Sequence, residues 1–236
     1  MDNQVSFTSK IKFVDKKSLK NISQQGARVI HFVPPSISIV EADKFCTYNI
    51  RTCTGGGAII PHQRAKGFHI YDSKINNDNI KDLSNNITSF NPERALLIGS
   101  KDAQQYGFPY SKLNFQELKK NISKKVKNVT LFEEYNHKYA ESSFCYSKEK
   151  DTWYICTGYR KNNKYIYVNS PETMLEAFKN IKISNGDKLF IKEQQVLPKD
   201  YPHIFECTLD KPQTTFEYMK KRLKLLSEDV KKFFYG

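Results

Sequence analysis

The chain has 236 residues, 39% of them hydrophobic and 27% charged, with a formal net charge of +13. That length and apolar content suit one compact domain, 1–236, with a substantial core, and no apolar run approaches the roughly 20 residues that span a bilayer. The five cysteines (Cys46, Cys53, Cys145, Cys156, Cys207) are odd in number and lack CxxC spacing, which argues against a disulfide framework and a structural zinc site. No metal, cofactor or membrane span is expected.

The opening "MDNQVSFTSKIKF" contains no uninterrupted apolar stretch and no small-residue cleavage site, so a general secretory signal is not expected. The positive charge favours nucleic acid, anionic surfaces or an acidic protein face. It is spread over both halves of the chain rather than clustered, so specific nucleic-acid binding is not expected.

Alternation in "VSFTSKIKFV" and the β-rich "ARVIHFV" predict two opening strands, the second ended by Pro34 and Pro35. Strands near 45–52 and 66–72 flank the triple glycine Gly55, Gly56 and Gly57. "NNDNIKDLSNNI" reads as a weak helix and "RALLIGS" as a short buried strand. "LNFQELKKNISKKV" is a stronger helix that Asn114 would cap, with Glu117 three residues on.

From 128 to 168 the pattern predicts a meander of "NVTLFEEY", "SSFCYS", "TWYICTGY" and "KYIYVNS", separated by the turns "KEKD" and "RKNN". The aromatics and lysines interleaved there suit base stacking on a single strand, but an alternating antiparallel sheet demands the same residues. Ser170 as N-cap and Pro171 at the first position start a helix over "PETMLEAFKNI", and Asn185-Gly186 turns into the strand "DKLFIKEQQVL". The final "TTFEYMKKRLKLLSEDVKKFFYG" has the periodicity of an amphipathic helix.

The segment "KFCTYNIRTCTGGGAIIPHQRAKGFHIYD", residues 44–72, carries the densest chemistry. Cysteine-dependent acyl transfer needs a thiol, an imidazole that takes and returns a proton, and a third group that orients the ring. A hairpin centred on Pro61 sets Cys53 opposite His69, whereas a turn at "HQRAKG" pairs Cys53 with Lys74 instead. His62 falls in the turn. The glycines suit either a close backbone approach or a flexible loop.

The run "SISIVEADKFCTYNIRTC" followed by "KGFHIYD" resembles the active-site segment of the Burkholderia lethal factor family, which has a Thr-x5-Cys pattern with a histidine a short interval on. The wider family includes the chemoreceptor glutamine deamidase CheD and the catalytic domain of cytotoxic necrotizing factor. The matching residues here are Thr47, Cys53 and His69, within about 35 of the 236 residues. The resemblance implies an α/β fold, a β-sandwich of mixed strands with flanking helices like that of CheD and lethal factor. It also implies glutamine deamidation on a partner protein, with a protein of a host cell as the expected target.

In that reading Cys53 attacks the carboxamide, His69 protonates departing ammonia and activates water, and Thr47 orients the ring through its hydroxyl or its carbonyl. Export by a non-classical route to act in a host cytosol is the expectation, with residence in a bacterial cytoplasm as the other. One departure stands out. The family often has small residues before the cysteine, whereas Ile50, Arg51 and Thr52 stand here, and Arg51 would either favour the thiolate by its charge or narrow the pocket. The alternatives are a cysteine protease, transglutaminase or methylesterase using the same acyl intermediate, or a non-enzymatic basic binding module.

Overall fold

Period-two alternation sorts the strand residues of this protein into distinct apolar layers. The computed structural model describes residues 9–31, 37–72, 77–99, 110–134, 141–201 and 204. The chain divides into two units, Met1–Phe205 and Glu206–Gly236. The helix expected over 214–236 lies outside the described residues.

In chain order the elements are β1 (Lys10–Phe13), α1 (Lys16–Gln24), β2 (Arg28–Val29), β3 (Ile37–Glu41), β4 (Lys44–Ile50), β5 (Thr54–Ile60) and β6 (Arg64–Ile70). They continue with α2 (Asn77–Ile87), β7 (Arg94–Gly99), α3 (Tyr110–Ser123), β8 (Asn128–Glu134), β9 (Glu141–Ser147) and β10 (Thr152–Lys161). The last are β11 (Lys164–Tyr167), α4 (Pro171–Ala177), β12 (Phe178–Lys182), β13 (Lys188–Ile191) and β14 (Gln194–Val196). The fold is mixed α/β, with four helices among the described residues and two mixed sheets. The first sheet runs β14-β13-β1-β10-β9-β4-β2, with β11 paired to β10, and the second runs β12-β8-β7-β5-β6-β3.

The inward faces of the two sheets share one core that includes Phe13, Phe45, Ile59, Leu96, Phe132, Phe144, Tyr146 and Trp153. Edge-to-face ring contacts at 5.7 Å, from Phe45 and from Phe144 to Trp153, give this layer its geometry. The outward face of the second sheet (Ala58, Phe68, Ile70, Leu97) packs on Ile80, Leu83, Phe115 and Leu118 of α2 and α3. A smaller cluster of Leu19, Cys46, Cys145, Tyr154 and Cys156 lies between α1 and the first sheet.

Burying an unpaired ammonium costs several kcal/mol, and Lys66 avoids that cost by its placement. Its Nζ donates to the Asn86 carbonyl at 2.9 Å, Asn86 Oδ1 at 3.0 Å and Ser89 Oγ at 3.1 Å. A cation at the end of α2 also complements the helix dipole, so β6 and α2 are locked together.

Several expectations change. Asp15, whose carboxylate accepts from the Ser18 N–H at 2.8 Å, caps α1, a helix with too few apolar residues to show in the pattern. Asn114 is not a cap: α3 is already helical at Tyr110, and Asn114 is buried within it. The run from 128 to 168 is not one meander, because β8 belongs to the second sheet and only β9, β10 and β11 form consecutive antiparallel pairs in the first. Ser170 and Pro171 do start α4, with a capping box to Thr173, but the helix ends at Ala177 and Phe178 opens β12. The expected last strand is the hairpin β13–β14, broken at Lys192, where φ is +56°.

Among the described residues no helix is long and apolar enough to cross a membrane. No group of three or more His, Cys, Asp or Glu converges there to hold a metal ion.

Candidate active site

A bulge in β4 builds one end of the sandwich. Phe45 and Thr47 point between the sheets, while Cys46 lies under α1. At Asn49, where φ is +57°, the register against β9 shifts between Thr47 and Ile50, and the Asn49 N–H donates to Ser143 Oγ at 3.2 Å. An inserted residue reverses the alternation. Ile50, which an unbroken strand would aim at α1, therefore turns inward, with its Cδ1 2.6 Å from where a Cβ on Gly55 would stand.

The chain then passes through Arg51, Thr52 and Cys53 from the first sheet to the second. Cys53 stands at that junction, 5% exposed and part of the inter-sheet core. Its carbonyl oxygen lies 2.8 Å from the Cβ position of Gly99, a residue with φ +142°, so the end of β7 runs directly against the Cys53 backbone. A side chain at 99 would be strained and would displace the nucleophile candidate.

The hairpin register differs from the expected one. Gly55, not Cys53, is the cross-strand partner of His69, because the turn is centred on His62 (φ +58°) rather than on Pro61. The two-residue difference preserves parity, so Cys53 keeps the face of His69 as a diagonal neighbour, at a typical Cα separation of about 7–8 Å. Gly55 interposes no side chain between them. The triple glycine is itself strand β5, not a loop, and its close approach is to the opposite sheet: a Cβ at Gly55 would also meet Phe144 at 3.0 Å, and one at Gly57 would meet Trp153 at 2.9 Å.

Thr47 and His69 meet across the interior. Thr47 Oγ1 lies 2.6 Å from His69 Nδ1, and the two residues are 0% and 1% exposed. Thr47 has one proton, which it gives to the Ile30 carbonyl at 3.3 Å. The ring N–H at Nδ1 then donates to Thr47, and Nε2 carries the lone pair, as a proton acceptor must. Burial pushes the imidazole pKa down to about 4, so the ring is neutral near pH 7.

The neighbouring polar groups take other roles. Burial pushes Asp72 up to about 6, against the pull of the Tyr110 and Ser111 backbone N–H groups. It sits at the start of α3. Gln63 lies in the turn, its N–H on the Ile60 carbonyl at 3.0 Å. Arg51 is 69% exposed in its side chain and pairs with Glu141 at 3.0 Å, so its charge is directed to a carboxylate and solvent.

A second polar group closes this end of the sandwich. Glu134, the last residue of β8 and 1% exposed, accepts a hydrogen bond from Ser142 Oγ across the inter-sheet space. Ser142 lies 2.6 Å from Thr157 Oγ1. The sequence signal was an acid at the end of "NVTLFEE", on the same alternate as the inward Phe132, which motif reading passed over.

On the outer side of the first sheet, a cavity of about 300 Å³ is lined by Lys16, Lys20, Tyr48, Asn49, Tyr165 and Tyr167, among others. It lies on the far face of β4 from Thr47. No family model matches the chain, and no curated protein matches it.

Proposed function

We propose that this protein is a cysteine-dependent glutamine deamidase acting on a partner protein, with Cys53 as nucleophile, His69 as general base and acid, and Thr47 as the residue that orients the ring. The observation that carries the reading is the 2.6 Å contact between Thr47 Oγ1 and His69 Nδ1, buried beside the strand junction that holds Cys53. A threonine fixing an imidazole tautomer in an interior of aromatic rings is costly to desolvate and supplies what a thiol nucleophile needs. The two-sheet α/β architecture is compatible with the deamidase fold of the family that the segment around Thr47, Cys53 and His69 resembles. By the same resemblance, the target is a host protein reached by a non-classical export route.

In the proposed chemistry His69 Nε2 takes the thiol proton as sulfur attacks the glutamine Cδ. The tetrahedral adduct collapses by breaking the C–N bond, and the imidazolium returns the proton to the departing ammonia. Water, deprotonated by the same nitrogen, then cleaves the thioester to give glutamate and free thiol. The neutral ring suits this order, because the proton moves during attack rather than before it.

Intact-mass and peptide mapping of a host-cell lysate tests the reading. Wild type should convert particular glutamines to glutamate, a gain of about 1 Da each, and Cys53→Ala should convert none. Equal conversion by both proteins would end the proposal. Cleaved peptide bonds, cross-links to amines or lost methyl esters, each dependent on Cys53, would assign the same thiol to protease, transglutaminase or methylesterase chemistry.

A further inference from the structure

The cavity of about 300 Å³ on the outer face of the first sheet is built from both sequence alternation and one missing side chain. Period two puts Tyr48 of β4, Cys156 of β10, and Tyr165 and Tyr167 of β11 on the face that α1 covers. Gly158 makes room for the aromatic wall, since a Cβ there would stand 2.5 Å from the Tyr165 ring. Tyr165 Oη donates to the Glu141 carbonyl at 3.3 Å, and its ring meets Tyr167 edge to face at 4.8 Å. Tyr48 is fixed as well, its Oη donating to Ser23 Oγ at 2.5 Å. With these hydroxyls engaged, Tyr48 and Tyr165 offer the cavity their ring surface. Among the described residues only Leu113 and Tyr167 are large hydrophobic side chains left exposed, and Tyr167 lines this cavity.

The charge around the cavity is one-sided. Lys16 and Lys20, one turn apart on α1, have no ion pair among the described residues. The one acid in the lining, Glu141, pairs with Arg51 at 3.0 Å. Asp15, beside Lys16, is engaged as the cap of α1, accepting from the Ser18 N–H and hydroxyl. Lys16 also stands in the first turn of α1, where a cation opposes the helix dipole. A bound anion offsets both the uncompensated lysines and that opposition. Asn49, held in the left-handed region at φ +57°, adds a side-chain carboxamide with no hydrogen bond among the described residues.

We propose that this cavity binds a small aromatic carboxylate, with its rings against the tyrosines and its charge at Lys16 and Lys20. Apolar walls with a few convergent polar groups are the makeup of small-molecule sites, whose volumes begin at about 300 Å³. One or two fused rings with a short acid group fill such a space. The net charge of +13 adds a field that draws anions toward the surface. The site lies on the opposite face of β4 from Thr47, and it goes beyond the deamidase reading without depending on Cys53 chemistry.

A nuclear magnetic resonance shift titration of the full chain, at low ionic strength, compares 2-naphthoate with 2-naphthylmethanol, which has the same rings without the charge. 2-Naphthoate should saturate one site with a Kd of about 1 mM or tighter, the range its size allows, with the largest shifts in α1 and β11. The alcohol should bind at least about fivefold more weakly. Replacing both lysines, Lys16→Gln with Lys20→Gln, should weaken 2-naphthoate about fivefold and leave the alcohol within about twofold. Tyr167→Ala should weaken both probes at least about threefold. All three side chains are exposed, so the variants should keep the wild-type circular dichroism spectrum. No saturable binding of 2-naphthoate up to about 10 mM, shifts confined to other elements, equal affinity for the two probes, or unchanged affinity in either variant would overturn the proposal.

Discussion

Two faces of β4 carry buried cysteines in opposite circumstances. On the α1 side, Cys46 and Cys145 are cross-strand partners, and with Cys156 they pack among Leu19, Val29, Tyr48 and Tyr154. Burial raises all three, Cys145 to about 12 and Cys156 to about 11, and Cys46 Sγ donates to Tyr48 Oη at 3.5 Å. These thiols behave as small apolar side chains. At the junction between the sheets, Cys53 is as buried but shares its end of the sandwich with an oriented imidazole and a carboxylate. Burial alone does not distinguish a reactive thiol from a packing one. In the proposed chemistry, the groups that can move its proton do.

Removing the thiols one at a time should give the largest effect. Cys53→Ala is expected to lower turnover at least about 10³-fold, with an unchanged circular dichroism spectrum. Cys46→Ala, Cys145→Ala and Cys156→Ala should each keep turnover and instead lose about 1 kcal/mol of stability in denaturant titration. Comparable turnover losses on both faces would erase the comparison.

The oriented ring comes next. His69→Ala should cost about 10² to 10⁴ in turnover. Thr47→Val leaves Nδ1–H buried without its acceptor, worth about 1–3 kcal/mol, so a loss of about 5- to 100-fold follows. Near-normal turnover in Thr47→Val would remove the hydroxyl from the mechanism.

Acid stability sharpens the same contrast. With its folded pKa near 4 against 6.5 unfolded, His69 lowers stability as pH falls from about 6.5 to 4, because only the unfolded chain takes up the proton. The full effect is about 3 kcal/mol. Asp72, raised from 3.8 to about 6, acts with the opposite sign: its contribution is present below pH 3.8 and lost as pH rises through 6. The two windows overlap and largely cancel. Asp72→Asn should therefore make the melting temperature fall more steeply than wild type between pH 6.5 and 4, and His69→Asn should make it fall less. Parallel melting curves for all three proteins would show that neither group is buried in solution.

The smallest effect is expected at Arg51. Its pair with Glu141 is largely exposed, so Arg51→Ala should change stability by less than about 1 kcal/mol. Iodoacetamide should alkylate Cys53 at the wild-type rate. A marked slowing would mean that the guanidinium does tune the thiol.

What the sequence determined by itself was local. A short apolar run placed β7, alternation placed β9 and β10, the Ser170-Pro171 start of α4 was legible from cap chemistry, and a family resemblance singled out Thr47, Cys53 and His69 as a set. Only the tertiary structure decided that β8 joins the second sheet, that the triple glycine is a strand facing Phe144 and Trp153, and that Gly55 rather than Cys53 stands opposite His69. It alone brought Glu134 to the end of the sandwich where Cys53 lies. Caps and alternation act over a few residues, and their chemistry is written in the chain at that point. Sheet membership, register and the space allowed to a glycine are set instead by residues far along the chain, such as Trp153 against Gly57 and Lys188 beside Lys10, whose positions depend on every strand packed between them.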